Sequence, residues 1–245
     1  MIAAITAGGR VEGPLAAAMG TRIKALAPIG GARLVDRSIE AARAAGAKRV
    51  IVIGGKEIRA HCEGRVEEIV SETSQGRENL RLAIEAAGNE ALLLLTSDLP
   101  FVSSDAAHDF LERAHGSDLA LPLATEDDYL RAYPGAPPHV TRVGRERVAN
   151  GSVAYLAPGV GSKVLEIAQR LFDARKSIPR MATLLGPALL LRFVTNRLEI
   201  EHIERRAQSV FGIDARAVRD ASPNLCFDVD TLEDYRYALD RIASG

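Results

Sequence analysis

A carboxylate directly follows a run of four leucines. Residues 91–101 read ALLLLTSDLPF, and such a run is typical of a strand buried on both faces in the middle of a parallel sheet. Pro100 cannot donate a hydrogen bond to a sheet, so the strand ends here and leaves Asp98 just past its carboxyl end. Ligands of open α/β sheets bind at that edge. Asp98 is therefore a candidate to bind a cation, although Asp is also common as the cap of a turn or of a helix beginning near Ser103.

A glycine turn follows the first apolar segment. Ile2–Thr6 predicts a short strand, and Ala7, Gly8 and Gly9 come at its carboxyl end. Glycine lets the backbone approach a ligand closely, and successive N–H groups in such a turn can cradle an anion. The loop beyond the turn carries three cations, which are Arg10, Arg22 and Lys24. This composition suits phosphate groups, although a plain strand-to-helix turn with solvated charges has the same pattern.

Two more aspartates lie near the C-terminal end of the chain. Leu225–Val229 predicts a strand that ends in the sequence DVD at 228–230. Alternation along a strand would place the carboxylates of Asp228 and Asp230 on the same side. Asp230, however, directly precedes Thr231 and the last helical pattern, and this spacing favours Asp230 as the cap of that helix.

The elements that must position these residues alternate between strand and helix. Strands are predicted at 2–6, 49–53, 68–70 and 92–95, and helices at 34–45, 56–62 and 78–87. Such alternation predicts a parallel sheet with right-handed crossovers. The glycine turn, Asp98 and the aspartates at 228–230 should then meet at one edge of the sheet. A phosphate cradle with hard oxygen ligands is what a Mg²⁺–nucleoside triphosphate needs.

The second half of the chain continues with similar elements. Helices are predicted at 105–114, 161–173, 178–185 and 200–211 and from 231 to 242, with strands at 119–123, 152–156 and 215–218. Residues 125–148 combine prolines with mixed charge and predict a loop or an edge excursion. Such an insertion either shapes an acceptor pocket or is a long surface loop. No linker or repeat interrupts the pattern, so residues 1–245 are expected to form one domain.

The composition excludes several classes of partner. The formal net charge is −1, Trp is absent and aromatic residues make up 4%, so we expect no nucleic acid and no membrane as partner. The apolar run at 187–191 is too short to span a bilayer. Cys62 and Cys226 are far apart, and the start MIAAITAGG lacks the basic region of a signal peptide. We therefore expect a cytoplasmic protein, and nothing in the sequence indicates its oligomeric state.

Three well-known motifs are incomplete. A P-loop needs Gly-Lys followed by Ser or Thr, whereas Gly55 and Lys56 are followed by Glu57. A dinucleotide fold has an acidic residue at the end of its second strand, and here the segment 49–53 ends in glycines, which weakens a dehydrogenase without eliminating it. The five histidines show no metal-ligand spacing, so we expect no zinc site.

Motifs at both ends of the chain resemble those of a known family. These are AGG, MG and K-A-L-x-P-I-x-G near the start, TSDLPF at 96–101 and FDVDTLEDY at 227–235. Together they are similar to the motifs of the MobA-like (molybdenum-cofactor guanylyltransferase-like) nucleotidyltransferases. The resemblance implies a GT-A fold, which is a single-domain, Rossmann-like three-layer αβα sandwich with a mostly parallel central sheet. It also implies transfer of a nucleotidyl group from an NTP to a phosphate-bearing small molecule, with Mg²⁺ as cofactor and pyrophosphate as product.

The resemblance assigns roles to individual residues as well. The implied catalytic residues are Arg10, Lys24 and Asp98, and the implied Mg²⁺ ligands are Asp98 and Asp228. The implied nucleotide-binding residues are Ala7, Gly8, Gly9, Lys24, Gly76, Asn79 and Ser97. Arg22 and Lys176 are further candidate phosphate contacts. Relatives carry an Arg immediately before the Met-Gly pair, whereas this chain has Ala18 there and a longer insertion at 10–17, so Arg10 or Arg22 is the candidate to supply the missing charge.

Three other functions stay open. A glycosyltransferase on the same fold would use a sugar nucleotide and release a nucleoside diphosphate. A catalytically silent regulator would bind NTP and Mg²⁺ without turnover, and the altered glycine loop keeps this alternative open. A Rossmann dehydrogenase would bind NAD(P). The sequence identifies neither the base of the nucleotide nor the acceptor.

Overall fold

The computed structural model describes residues 1–174 and 177–244. Its strands are β1 (Ile2–Thr6), β2 (Pro28–Ile29), β3 (Ala32–Arg33), β4 (Arg49–Gly54), β5 (Glu68–Ser71), β6 (Leu92–Thr96), β7 (Leu119–Thr125), β8 (Thr141–Val143), β9 (Glu146–Asn150), β10 (Val153–Leu156) and β11 (Ala215–Val218). Its helices are α1 (Gly13–Met19), α2 (Leu34–Ala44), α3 (Lys56–Cys62), α4 (Gly76–Ala87), α5 (Ser104–Ala114), α6 (Glu126–Ala132), α7 (Gly161–Ala174), α8 (Ile178–Leu185), α9 (Pro187–Val194), α10 (Ile200–Phe211) and α11 (Leu232–Ala243).

Nine strands of the described residues form one central sheet. Its order is β5-β4-β1-β6-β10-β7-β9-β8, and β11 pairs in parallel with β7. The pairs β1–β4, β1–β6 and β4–β5 are parallel, whereas β10 is antiparallel to both β6 and β7. Strands β9 and β10 thus run against the others, and the sheet is mostly parallel, as predicted. The hairpin of β2 and β3 forms a separate two-stranded sheet.

Helices cover both faces of the parallel part of the sheet. Side chains alternate along β1, so that Ile5 packs in one core with Ile39 of α2 and Phe110 of α5. Ile2 packs in a second core, on the opposite face, with Ile84 of α4. The predicted three-layer α/β architecture is therefore confirmed, and it explains why the strands β1, β4 and β6 are apolar on both sides.

A third core, rich in aromatic residues, lies where α1, α6 and α11 meet. The Phe227 ring is fully buried, with its centroid 5.0 Å from Phe101 and 5.1 Å from Tyr133. The backbone N–H of Val229 donates to the carbonyl of Asp98 at 3.0 Å. Packing, this bond and a hydrogen bond from the Ser152 N–H to the Leu225 carbonyl at 2.9 Å hold the chain here without a strand ladder, so the strand predicted at 225–229 is wrong. A short 3₁₀ turn, Pro223–Leu225, and an extended segment take its place.

Of the loop or edge excursion predicted at 125–148, the structure has the edge excursion. This stretch contains α6 and the β8–β9 hairpin, which extends the sheet beyond β7. Thr125 is the N-cap of α6, because its hydroxyl accepts a hydrogen bond from the Asp128 N–H at 3.1 Å. The acidic residues at 126–128 suit the positive end of a helix, so this stretch contains a local signal for α6. The prolines that follow in the sequence led to the prediction of a loop or an edge instead.

Candidate active site

The register of the sheet brings the ends of β1 and β6 side by side. Thr6 is paired with Thr96, and the Ser97 N–H donates to the carbonyl of Thr6 at 3.1 Å. Gly8 and Asp98 therefore leave adjacent strands at the same edge of the sheet. This is the edge at which ligands of open α/β sheets bind.

The insertion between the glycine turn and Lys24 closes on itself. Helix α1 lies in the middle of this insertion, and a β-bridge between Arg10 and Ile23 joins the two ends of the insertion. The Lys24 N–H then donates to the carbonyl of Gly9 at 2.9 Å. The insertion expected at 10–17 thus leaves the lysine beside the glycine turn.

Two carboxylates contact the Lys24 ammonium at one end of the site, and a third lies beside them. Nζ of Lys24 donates to Oδ2 of Asp98 at 2.9 Å and to Oδ1 of Asp230 at 2.7 Å. Asp98, Asp228 and Asp230 each offer an oxygen that lies within 4.8 Å of the other two. Two of the three acidic side chains are thus paired with one lysine, and the cluster carries an excess of negative charge.

Asp230 is not the helix cap that the sequence predicts. Thr231 is the N-cap of α11, and its hydroxyl accepts a hydrogen bond from the Asp234 N–H at 3.2 Å. The Asp234 carboxylate in turn accepts one from the Thr231 N–H at 2.7 Å. This reciprocal capping box needs no other acceptor. The carboxylate of Asp230 is consequently free to face Lys24.

The crowding of charges shifts the pKa values in the cluster. Burial lowers the pKa of Lys24, but attraction to Asp98 and Asp230 outweighs burial and raises this pKa above its usual value. Burial raises the pKa of Asp228, and the carboxylates of Asp98 and Asp230 raise it further. Oδ1 of Asp98 is buried without a hydrogen-bond partner among the described residues. A cation that prefers oxygen ligands would satisfy this orphaned atom and offset the repulsion.

Asp228 also has two contacts outside the cluster. The Ser152 hydroxyl donates to its Oδ2 at 3.1 Å, and Nδ1 of His139 lies 3.4 Å from its Oδ1. Nε2 of His139 donates to Oδ1 of the fully buried Asp234 at 2.9 Å. The hydrogen bond to Asp234 raises the pKa of His139, because it favours the charged imidazolium.

The glycine turn and Asp98 open into a shared cleft of about 770 Å³. This volume lies within the range typical of small-molecule sites. The sequence-predicted residues that line it are Gly8, Gly9, Arg10, Lys24, Gly76, Asn79, Ser97 and Asp98. Residues 72–74, in the loop between β5 and α4, also line the cleft.

Glu72 places a carboxylate against the glycine turn. Nη2 of Arg10 donates to its Oε1 at 2.6 Å, and its Oε2 would lie only 1.9 Å from a Cβ on residue 8. Glycine at position 8 is therefore required for this arrangement. The guanidinium that the sequence predicts to bind phosphate is held by a carboxylate in this structure.

Other predicted residues have different surroundings. Ala7 is fully buried, and its N–H donates to the carbonyl of Ile53. Arg22 pairs with Glu12 at the surface and does not line the cleft. Lys176 lies outside the described residues.

Asn79 lines the cleft, but its amide group is committed to the loop wall. Its Oδ1 accepts a hydrogen bond from the Thr73 N–H at 2.7 Å, and its Nδ2 donates to the Thr73 carbonyl at 3.1 Å. Because both polar atoms are used, Asn79 holds the loop in place, and the base or ribose contact predicted for it stays a prediction.

Sequence reasoning missed three residues of this site. Asp230 was assigned to a cap although the Thr231–Asp234 spacing already indicates a capping box. Glu72 follows the edge strand β5, and its position after a predicted strand was an available signal. His139 lies in a proline-rich stretch without periodicity, so no local pattern pointed to it.

A match to a family model fits this geometry. The model of the MobA-like NTP transferase domain matches residues 3–186. The family match and the α/β fold define the class of protein, which is a nucleotide-transferring enzyme. The chain belongs to the MobA-like NTP transferase family and is a nucleotidyltransferase.

Solved structures with the same fold support the assignment. A hypothetical transferase from Thermus thermophilus is 27% identical, with a TM-score of 0.80 and coverage of 95% of this chain and 98% of the other. A CMP:2-keto-3-deoxy-manno-octonic acid synthetase complexed with CTP is 14% identical, with a TM-score of 0.60 and coverage of 99% and 98%. A 2-C-methyl-D-erythritol 4-phosphate cytidylyltransferase, also from Thermus thermophilus, is 16% identical, with a TM-score of 0.56 and coverage of 99% and 98%. The latter two show the fold alone.

None of the helices within residues 1–174 and 177–244 has the length and hydropathy of a membrane span.

Proposed function

We propose that this nucleotidyltransferase moves an NMP group from an NTP to a phosphate-bearing small molecule and releases pyrophosphate, with Mg²⁺ as the cofactor. The observation that carries the proposal is the cluster of Asp98, Asp228 and Asp230 beside Lys24, at the end of a cleft that begins at the glycine turn. A triphosphate needs a cradle of N–H donors, a cation at its leaving end and a metal site. The cleft supplies candidates for all three.

The donor set of the cluster fits a hard divalent cation. Asp98, Asp228 and Asp230 would hold Mg²⁺ through carboxylate oxygens, and the orphaned Oδ1 of Asp98 is a ready ligand atom. A bound Mg²⁺ offsets charge on the phosphates and orients the α-phosphorus for attack. A metal would also relieve the repulsion that raises the pKa of Asp228.

The residues of this chain would then position and stabilise the substrates. The backbone N–H groups of Gly8 and Gly9 would bind the triphosphate, and the Lys24 ammonium would stabilise the pyrophosphate as it leaves. Lys24 is suited to this role because its raised pKa keeps it charged at neutral pH. An acceptor phosphate oxygen attacks in line, so no protein nucleophile is required.

One structural neighbour and one stretch of this chain support the phosphate-bearing acceptor. One structural neighbour is a 2-C-methyl-D-erythritol 4-phosphate cytidylyltransferase, so the same fold serves a phosphorylated acceptor in that protein. In this chain, α6 and the β8–β9 hairpin make up the stretch whose sequence suggested an acceptor pocket.

A product assay separates this function from its rivals. ATP, CTP, GTP and UTP are first compared by thermal shift, with and without Mg²⁺, because a ligand of the native state raises its stability. The preferred NTP is then incubated with a panel of sugar phosphates and polyol phosphates, with Mg²⁺ or with EDTA. We expect pyrophosphate and a nucleotidylated acceptor with Mg²⁺ only.

Each rival gives a different result. A glycosyltransferase would release a nucleoside diphosphate from a sugar nucleotide, and a silent regulator would show a thermal shift with NTP but no pyrophosphate with any acceptor. Stabilisation by NAD(P) instead of NTP would indicate a dehydrogenase. Any of these three results would overturn the proposal.

A further inference from the structure

His139 is held between two carboxylates that have different surroundings. Its Nε2 donates to Oδ1 of Asp234 at 2.9 Å, and its Nδ1 lies 3.4 Å from Oδ1 of Asp228. The Asp234 side chain is fully buried, whereas the Asp228 side chain is 25% exposed and belongs to the aspartate cluster. One ring therefore connects a structural carboxylate to a candidate metal ligand.

The Asp234 end of this connection is rigid. Oδ2 of Asp234 accepts hydrogen bonds from the N–H groups of Asp230 and Thr231, at 3.0 and 2.7 Å, which leaves Oδ1 for His139. The ring of His139 also packs near Phe227 and Tyr129, with centroid distances of 5.3 and 6.2 Å. Capping box and aromatic core together fix the orientation of the imidazole.

The fixed ring of His139 acts on the orientation of the Asp228 carboxylate. Asp228 lies in a segment without strand hydrogen bonds, so no ladder determines where its side chain points. The contacts that orient its carboxylate are the Ser152 hydroxyl on Oδ2 and His139 on Oδ1. Each oxygen keeps capacity for a metal, because a carboxylate oxygen can accept more than one partner.

From this arrangement we infer that His139 is a positioning residue for the metal site: its Nδ1 orients the Asp228 carboxylate toward Asp98 and Asp230, with Asp234 holding the ring in place. The inference rests on the proposed function, since it concerns the same aspartate cluster. Hydrogen-bond partners of metal-binding carboxylates commonly change metal affinity when they are removed. His139 does not touch the reacting groups in this scheme.

Two substitutions separate the two nitrogens of the ring. The side-chain N–H of Asn is as far along the chain as Nδ1 of His, and that of Gln is as far as Nε2. His139→Asn therefore keeps the donor toward Asp228 and loses the one toward Asp234, and His139→Gln does the opposite. Both replace the imidazole with a neutral amide, so any difference between them reports on position and not on charge.

The readout is the dissociation constant of Mn²⁺, a substitute for Mg²⁺, measured by electron paramagnetic resonance without nucleotide. We expect His139→Gln to weaken Mn²⁺ binding by about 10-fold or more and His139→Asn to stay close to the wild type. Thermal unfolding should show the reverse order, because His139→Asn gives up the contact with the buried Asp234. His108→Gln, which alters an exposed histidine paired with Glu112 on α5, is the matched control and should change neither quantity.

The possible failures are distinguishable. If wild-type protein binds no Mn²⁺, or binds it equally well with Asp98→Asn, the proposed metal site is wrong. The wild type could bind Mn²⁺ at Asp98 while the two His139 variants have the same dissociation constant as each other. In that case only the inference about position is overturned, whether this constant is higher or lower than that of the wild type. Equal tightening in both variants would show that His139 acts through its charge alone.

Discussion

Two buried carboxylate sites of the molecule have opposite arrangements of charge. Asp36, at the start of α2, accepts hydrogen bonds from the Arg33 N–H at 3.0 Å and from His61 at 2.8 Å, and Arg65 lies 2.8 Å away. Burial raises the pKa of Asp36, but these partners outweigh burial and lower it below its usual value. Every acceptor atom there has a donor from the protein itself.

The aspartate cluster is the opposite case. Three carboxylates lie together with one lysine, and one buried oxygen of Asp98 has no partner within the described ranges. The pKa of Asp228 is raised, not lowered. The comparison indicates that the Asp36 site contributes to stability, whereas the cluster is the place where we propose that a cation binds. Four predictions test this difference, from the largest expected effect to the smallest.

Asp98→Asn should lower nucleotidyl transfer by about 10³-fold, since a bound metal contributes several kcal/mol to the stabilisation of the transition state. The change is measured as Mg²⁺-dependent pyrophosphate release at saturating NTP. The folded state should persist, as judged by circular dichroism. Unchanged turnover would remove Asp98 from the site.

Lys24→Met should lower kcat by about 100-fold, because the leaving pyrophosphate loses a charged partner in a dry site. The variant should also unfold more easily in metal-free buffer, by about 1–3 kcal/mol, and recover part of this loss with Mg²⁺. Urea titrations with and without Mg²⁺ measure this recovery. Lys163→Met, where Nζ donates to the carbonyl of Gly212, is the control. A Lys24 variant as stable as the wild type without metal would contradict the picture of crowded carboxylates.

Asp36→Asn should lower the free energy of unfolding by about 2 kcal/mol at pH 7, since charged hydrogen bonds are lost in a buried site. The pKa of Asp36 is lower in the folded state, so this stability is present above the unfolded value of about 3.9 and is lost as pH falls through the folded value. The difference between variant and wild type should therefore shrink below about pH 4. Asp109→Asn, in an exposed pair with Arg113, should cost far less. A loss independent of pH would show that charge is not the cause.

Glu72→Gln tests a third carboxylate, whose arrangement of charge is intermediate between that of the Asp36 site and that of the aspartate cluster. Glu72 is paired with Arg10, yet it occupies space beside the glycine turn that phosphates would approach. Removing its charge should tighten NTP binding by about 5-fold, which corresponds to about 1 kcal/mol. Isothermal titration of the wild type, Glu72→Gln and the control Glu78→Gln measures the change. Weaker binding in Glu72→Gln would mean that Glu72 contacts the nucleotide favourably.

The comparison also shows what a sequence can predict here. Asp98 and the glycine turn were found because a buried strand has a recognisable end, and parallel strands share an edge. Lys24 was one of three cations in the loop, and only the family resemblance distinguished it from Arg10 and Arg22, since the insertion that returns it to Gly9 has no local signature. The catalytic and binding roles of these residues stay predictions.

Residues that depend on tertiary packing were harder to find. Asp230 is the exception, because the local spacing of Thr231 and Asp234 already indicates that these two residues cap the helix. The strand expected at 225–229 failed because Phe227 is buried by aromatic neighbours and not by a second strand. His139 reaches Asp228 only because the stretch at 125–148 folds back over α11, and no periodicity reports such a path.

The most direct test compares the stability of three proteins with and without metal. Wild type, Asp98→Asn and Asp36→Asn are unfolded with urea in EDTA and in Mg²⁺. At about a hundred times the dissociation constant, Mg²⁺ should stabilise the wild type and Asp36→Asn by about 2.7 kcal/mol and leave Asp98→Asn unchanged. Equal stabilisation of all three proteins, or none in the wild type, would contradict the assignment of the aspartate cluster as a metal site.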